Sequence, residues 1–479
     1  MKTKFVSIAL TVCVLAGLGF SGCSAGNQSS PAPSSSTNTS SSGTVNLVVQ
    51  DTPPTGITVL SFQVEIASAT LQPGSVSIIK RPVTVDLEQL VTDTGFLASQ
   101  VVDSGTYTSL TVTYDNPQVT LMNSSSAPLV TPAGTCAVGQ VCTFTPRLNN
   151  ASVTISSGVF PITVAASSTT GLNLDLSIPD LLQSDLSLTF ASGQSVNLSL
   201  LSAVASLTDQ QSEIDAVLGT VQSVSGQQLT IQTALGNSLV IDLNSTTSYN
   251  YPAAVCSSSS SSCLGNGQIV DLNLGLQGDG SLVAQSVTYA DASGGTAARG
   301  TILATPTGGS TSFQILLHQV IPGSTSAAIG SVMTIAPASG ALFAVPFTGY
   351  PAVNGGSFVG AGDLVVGQEV LLQLAAGSSA TNYASSRVYL EPSQTVGVVQ
   401  SVNAGADSFV LNGLTGLWTH SQPIVNQFDC QAGSQTQYEN LSSASLAALS
   451  PGSSVGVKGL IFNTGTPTMS TVIVRGRPN

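Results

Sequence analysis

Histidine is the scarcest reactive side chain in this sequence, with only His318 and His420 among 479 residues. An imidazole acts as a zinc ligand or general base when a carboxylate, a thiol or a second histidine stands at ligand spacing. Neither histidine has such a neighbour in its own stretch of chain, so both read as satisfied or exposed side chains. Gly452-Ser453-Ser454-Val455-Gly456 has the Gly-x-Ser-x-Gly spelling of a hydrolase nucleophile turn. That motif needs a strand–turn–helix and a later histidine. Here a strand pattern follows and no histidine lies downstream. Asp271-Leu272-Asn273 and Gly278-Asp279-Gly280 offer oxygen ligands for calcium, but Leu276 occupies the position that needs glycine. Gly278-Asp279-Gly280-Ser281 reads more simply as a hairpin turn. Asp175, Asp180 and Asp185 read as solvated turn aspartates, with a surface cation site as the alternative. Paired carboxylates for glycoside cleavage need only meet in space, and nothing local nominates a pair. Trp418 is the single tryptophan and reads as core or loop filling. No catalytic residue, metal ligand or cofactor is nominated, and the sequence is read as that of a non-enzyme.

The cysteines carry more. Lys2 and Lys4 precede an apolar run from Phe5 to Leu18, and Phe20-Ser21-Gly22-Cys23 places small residues before a thiol. This is the pattern of a cleaved export signal ending at a lipidated Cys23, although Phe20 departs from the usual leucine. The run is shorter than the ~18 apolar residues that span a bilayer. Cleavage to a soluble product after Gly22 or Ala25 is the rival reading. A diacyl chain on Cys23 would anchor firmly, each buried methylene adding about 0.8 kcal/mol. Cys136 with Cys142, and Cys256 with Cys263, are spaced as local disulfides for an oxidising compartment. A metal site is the alternative, but neither spacing is Cys-x-x-Cys and no histidine lies near. Cys430 is left over and reads as a buried thiol, with an intermolecular bridge as the alternative.

Composition narrows the class of partner. Loss of Lys2 and Lys4 with the signal leaves eight basic against 23 acidic residues, a formal charge of −15. Such a surface repels phosphate, so nucleic acid is not an expected partner. Only 7% of residues are charged, and Val, Ile, Thr and Leu alternate with Ser and Gly, which favours strands. Residues 24–43 form a low-complexity tether whose ~20 residues reach about 25 Å when flexible.

The elements follow from that alternation. Val45, Leu47 and Val49 alternate with polar residues and stop at Asp51-Thr52-Pro53-Pro54. Further alternations at 62–66, 83–87, 110–114, 119–121, 162–164, 172–176 and 186–190 suggest an antiparallel sandwich. Leu87 to Leu97 and Pro179 to Gln183 are the helical hints. From Gly219 the chain repeats. Gly219-Thr220-Val221, Gly300-Thr301-Ile302 and Gly397-Val398-Val399 open units that close on Gly267-Gln268-Ile269-Val270, Gly367-Gln368-Glu369-Val370 and Gly452-Ser453-Ser454-Val455. The middle unit carries an insertion near Ile321 to Gly360.

Two resemblances rest on these residues. Asp51-Thr52-Pro53, Val85-Asp86-Leu87-Glu88-Gln89-Leu90 and Gly105-Thr106-Tyr107-Thr108-Ser109-Leu110 together resemble the family called domain of unknown function 4382. That resemblance covers about a third of the chain and implies an exported β-sandwich with no settled activity. Gly105-Thr106-Tyr107 also has a plain reading, a turn feeding a strand whose tyrosine packs at a sandwich corner. The glycine-opened units resemble domain of unknown function 5666, which implies small β-barrels; Gln228-Leu229-Thr230-Ile231-Gln232 and Asn244-Ser245-Thr246-Thr247 carry it best. The expected organisation is a signal peptide at 1–22, a lipidated Cys23 and tether at 23–43, and an antiparallel sandwich at 44–207. Barrel-like repeats follow at 219–290, 300–391 and 396–479. The expected protein is all-β, exported, and held by its lipid at an outer membrane or cell surface. It would bind a surface protein or glycan, adhere, or act as a spacer. An exported hydrolase whose carboxylates converge only in the fold is the alternative.

Overall fold

The structure, a computed structural model, describes residues 42–476 apart from 53–57, 81, 91–94, 202–212, 234–237, 278–280, 322–328, 348, 376–381, 415, 420 and 422–423. The signal, Cys23, the tether up to residue 41, Asp279 and His420 therefore lie outside the described residues, while residues 42–43, expected in the tether, already belong to the first strand. The chain is all-β: strands make up nearly every element, with a few single helical turns between them.

Two sheets enclose the first core. One runs Val196–Leu201, Thr169–Ser177, Ser42–Thr52, Gly95–Asp103. The other is built on Ser109–Met122 and Thr58–Gln72, flanked by Val141–Phe144, Ser152–Ile155, Val76–Ser77 and Val83–Asp86. Period-2 alternation sends Val45, Leu47 and Val49 inward beside Leu172, Leu174 and Leu176, against Phe62, Val64 and Ile66 from the facing sheet. Each such side chain, fully removed from water, contributes about 1.5–3 kcal/mol. Tyr107 packs at a corner with its hydroxyl donating to the Asp103 carbonyl at 2.8 Å.

The sandwich departs from the sequence reading in three places. It is not purely antiparallel, because Ser42–Thr52 runs parallel to Thr169–Ser177. The alternations at 110–114 and 119–121 belong to one strand, Ser109–Met122, which continues past Asn116 at φ 46°. The helix hint at Leu87 to Leu97 is a single 3-10 turn, Leu87–Leu90, and the chain is a strand again from Gly95. Leu87 and Leu90 both reach the core within that turn.

Three barrels follow, each closed by five strands, with a short sixth strand, Ser248–Asn250 in the first and Gln437–Glu439 in the third, paired in parallel along the last. The first uses Glu213–Ser225, Gln228–Thr233, Ser238–Asp242, Ile269–Leu276 and Leu282–Asp291. The second uses Thr296–Ala304, Phe313–Ile321, Val332–Ala344, Glu369–Leu374 and Asn382–Glu391. The third uses Ser393–Asn403, Ser408–Asn412, Gln427–Gln431, Ser454–Thr464 and Thr466–Gly476. In each, strand one pairs with strands two and four, strand two with three, and strand four with five. Strand three then closes on strand five in parallel. This is the Greek-key closure of an OB-type barrel. Strand Val332–Ala344 falls within the expected insertion, and the extra length lies in this longer strand and the connection before it, because 345–368 is no longer than 243–268 of the first barrel.

The glycines that mark each barrel have a steric cause. A Cβ on Gly219 would stand 2.6 Å from Ile231 Cδ1, one on Gly397 would stand 2.6 Å from the Asn412 carbonyl, and one on Gly300 would strike the Leu316 carbonyl. Strand one there presses against strand two too closely for any side chain. The closing glycines, Gly267, Gly367 and Gly452, have φ of 81°, 83° and 92°. Their amides donate to the carbonyls of Val221, Ile302 and Val399 at 2.7, 2.7 and 2.8 Å.

Candidate functional site: a buried ionic junction

Asp86 ends strand Val83–Asp86 and caps the turn after it. Its Oδ1 accepts from the Phe62 and Glu88 amides at 2.8 and 3.3 Å, and its Oδ2 accepts from Ser61 Oγ at 2.6 Å. The same Oδ2 lies 3.3 Å from Nδ1 of His318, on strand two of the middle barrel. That strand points Phe313, Ile315 and Leu317 into the barrel and Leu316 and His318 out of it. The outward pair is nonetheless buried. Leu316 joins Leu60 and Met122 of the sandwich and Val366 and Leu417 in a second apolar cluster, and Thr120 Oγ1 donates to the Gly330 carbonyl at 3.1 Å.

On the other side of the ring, His318 Nε2 is 2.7 Å from Thr301 Oγ1, 3.5 Å from Glu369 Oε1 and 3.3 Å from the Gln89 side-chain amide. The Thr301 hydroxyl donates to Glu369 Oε1. Gln394, at the start of the third barrel, donates to the Gln89 carbonyl at 3.1 Å. Beyond Glu369 the charges continue. Glu369 stands directly opposite Glu391 across strands four and five. Arg299 Nη2 reaches Glu391 Oε2 at 3.4 Å and Asp271 Oδ2 of the first barrel at 2.7 Å. Lys458 of the third barrel is buried and holds a positive charge near Glu391. Charged side chains from the sandwich and all three barrels thus meet out of solvent.

Burial alone would push the His318 imidazolium towards losing its proton. The Glu369 and Asp86 carboxylates on either side outweigh that and raise it to about 10. Glu391 is raised well above the usual carboxylate range, first by burial and then by Asp271 and Glu369, with Arg299 and Lys458 opposing. The Asp86–His318–Thr301 chain has the connectivity of a catalytic triad, but a general base must be neutral to take a hydroxyl proton. At neutral pH this ring already holds both protons, so as built it cannot activate Thr301.

Other residues singled out by sequence fall as follows. Asp271 serves an ion pair with Arg299 rather than a calcium loop. Asp180 accepts from Ser177 Oγ at 2.6 Å, and Asp185 accepts from the Ser187 amide and hydroxyl and faces Arg147 at 3.6 Å, so each closes a local turn. Ser453 stands in a turn that leads into strand Ser454–Thr464, not a helix. Disulfides join Cys136 to Cys142 and Cys256 to Cys263, with Cα separations of 6.0 and 5.7 Å. Cys430 is a buried free thiol in the third barrel's core. Trp418 is buried edge-on to Phe428 and donates to Thr395 Oγ1 at 3.1 Å. No group of three or more His, Cys, Asp or Glu among the described residues is placed to hold a metal ion.

His318 is satisfied, as one of its two sequence readings had it, but its partners were not legible along the chain. It has two carboxylates beside it, one of them 232 residues away in sequence. The available signal was Leu316, an apolar residue on the outward side of an alternating strand, which marks a face that something covers.

Residues 219–288, the first barrel, match the family model "Domain of unknown function (DUF5666)". None of the curated proteins matches the chain. Among solved structures the chain is similar to "drosophila Unr CSD456", at 11% identity over 55% of this chain and 97% of that one, with a TM-score of 0.13. Nothing about function follows from so slight a likeness.

Proposed function

We propose that this is an exported cell-envelope protein, tethered through a lipid on Cys23, that presents its β-domains as one docked body for binding or adhesion. The observation that carries this reading is the buried ionic junction. A chain that commits seven charged side chains to holding its domains together is built to offer a fixed surface. The lipoprotein-like Gly22-Cys23 junction, the two disulfides and the charge of −15 support export and argue against a nucleic-acid partner. In this reading the three barrels are tandem copies of one unit, the first being the copy that matches the family model. The sandwich is then the domain that resembles domain of unknown function 4382. The partner is a surface protein or glycan engaged through strand edges and Ser/Thr-rich loops. The test is fractionation with surface labelling and pull-down of the intact and Cys23→Ala chains. Wild type should sediment with membrane and Cys23→Ala should be released. Equal retention of both overturns the anchor.

An exported hydrolase is the second reading, favoured by the convergence of Asp271, Glu369 and Glu391 with a raised Glu391. It requires the junction to open, because all three carboxylates are buried. Turnover of a glycan or ester by wild type that is lost in Glu369→Gln would establish it. Equal turnover in both would remove it.

A further inference from the structure

Among the described contacts the ionic junction brings more carboxylates than cations together. Asp86, Asp271, Glu369 and Glu391 supply four carboxylates, and His318, Arg299 and Lys458 supply three cations. A net charge left in a low-dielectric interior is costly, and a protein removes it by moving a proton where no counter-ion is at hand. The geometry shows where the proton belongs. Glu369 and Glu391 face each other directly on adjacent antiparallel strands, where two like charges repel. Their exposures are only 8% and 3%. Glu369 Oε2 and Glu391 Oε1 are both buried, and neither has a hydrogen-bond partner among the described residues. Two ionised carboxylates would not be left so; an acid beside a carboxylate can be.

We propose that Glu391 carries a proton in the folded protein, which relieves its repulsion with Glu369 and makes the docking of the sandwich and the three barrels dependent on that proton. The groups that face the pair are fixed. Arg299 and Asp271 meet Glu391 from the first strand of its own barrel and from the first barrel, and Lys458 faces it from the third. His318 and Thr301 meet Glu369, with Asp86 behind the ring. Tyr389, two residues before Glu391, is raised to about 12, chiefly by burial, and stays neutral. Glu369 has the imidazolium beside it, so Glu391 is the member that carries the hydrogen. Such a proton is bound in the folded state and released on unfolding. Stability then falls as pH rises from the ordinary carboxylate range towards Glu391's raised value, and Glu391→Gln, which mimics the acid, escapes that fall.

The test uses the full chain in detergent. Infrared spectra at neutral pH should show a protonated-carboxyl band that persists in wild type and disappears in Glu391→Gln. Urea midpoints between pH 5 and 9 should fall less steeply in Glu391→Gln, by about one proton's worth of slope. The spectrum needs only wild type, so the idea stays testable if the variant folds poorly. Absence of the band in wild type at neutral pH, or equal slopes in the two proteins, would overturn it.

Discussion

The first and middle barrels share a strand order but use the same positions differently. One step beyond the opening glycine, Thr220 in the first barrel pairs with Gln232 on strand two and Ile269 on strand four. In the middle barrel Thr301 pairs with Leu316 and Glu369. In the third, Val398 pairs with Asn412 and Ser454. Gln232 is exposed, whereas Leu316 is fully buried. One frame therefore supports two surfaces: at this step strand two carries the exposed Gln232 in the first barrel and the buried Leu316 in the middle one, while strand four carries the buried Ile269 in the first and Glu369 in the middle. The face is specified by a few side chains, while the closure of the barrel is specified by glycines and strand order.

Six substitutions, two of them matched controls, break or sharpen that contrast. The largest effect belongs to His318→Leu, which leaves Asp86 and Glu369 buried without their cation and should cost about 3–5 kcal/mol in urea unfolding. The contribution of His318 is also pH-dependent. Its folded value, about 10, lies above the unfolded 6.5, so its stabilisation is complete below about 6.5 and disappears as pH rises through about 10. His318→Leu should flatten that part of the stability profile. Next comes Leu316→Ala, expected to cost about 2–5 kcal/mol by opening a cavity between sandwich and barrel. Gln232→Ala at the matching position of the first barrel should stay within about 0.5 kcal/mol; equal costs at the two sites would erase the distinction. Gly330→Ala forces a side chain at φ 80° to within 2.8 Å of Gln63 Nε2 and 3.0 Å of Gln118 Oε1, for about 1–3 kcal/mol in thermal unfolding. Gly340→Ala at φ 77° meets open space and should cost less. The smallest change is expected from Arg147→Ala, because both it and its partner Asp185 are exposed. That variant should unfold within the scatter of wild type at physiological salt.

What the sequence disclosed follows a physical line. Alternation and glycine spacing are local, so the all-β class and the steric marks of each barrel opening could be read directly. Tyr107 and the cysteine pairs could be read for the same reason, since six or seven residues of separation fix their neighbours. The parallel pairing of Ser42–Thr52 with Thr169–Ser177 could not, because the same apolar alternation serves either strand direction. The junction was hidden for a related reason. Asp86, Asp271, Arg299, His318, Glu369, Glu391 and Lys458 are single charges in separate strands, and only docking brings them together. The carboxylates beside His318 come from two domains, so no spacing along the chain marks them.

The most direct measurement of the central claim, that the sandwich and the barrels act as one docked body, is differential scanning calorimetry of the full chain beside His318→Leu at neutral pH. Coupling through the junction predicts one cooperative transition in wild type and a split in the variant, with the sandwich melting apart from the barrels. Separate transitions already present in wild type, or one unsplit transition in His318→Leu at the wild-type temperature, would contradict it.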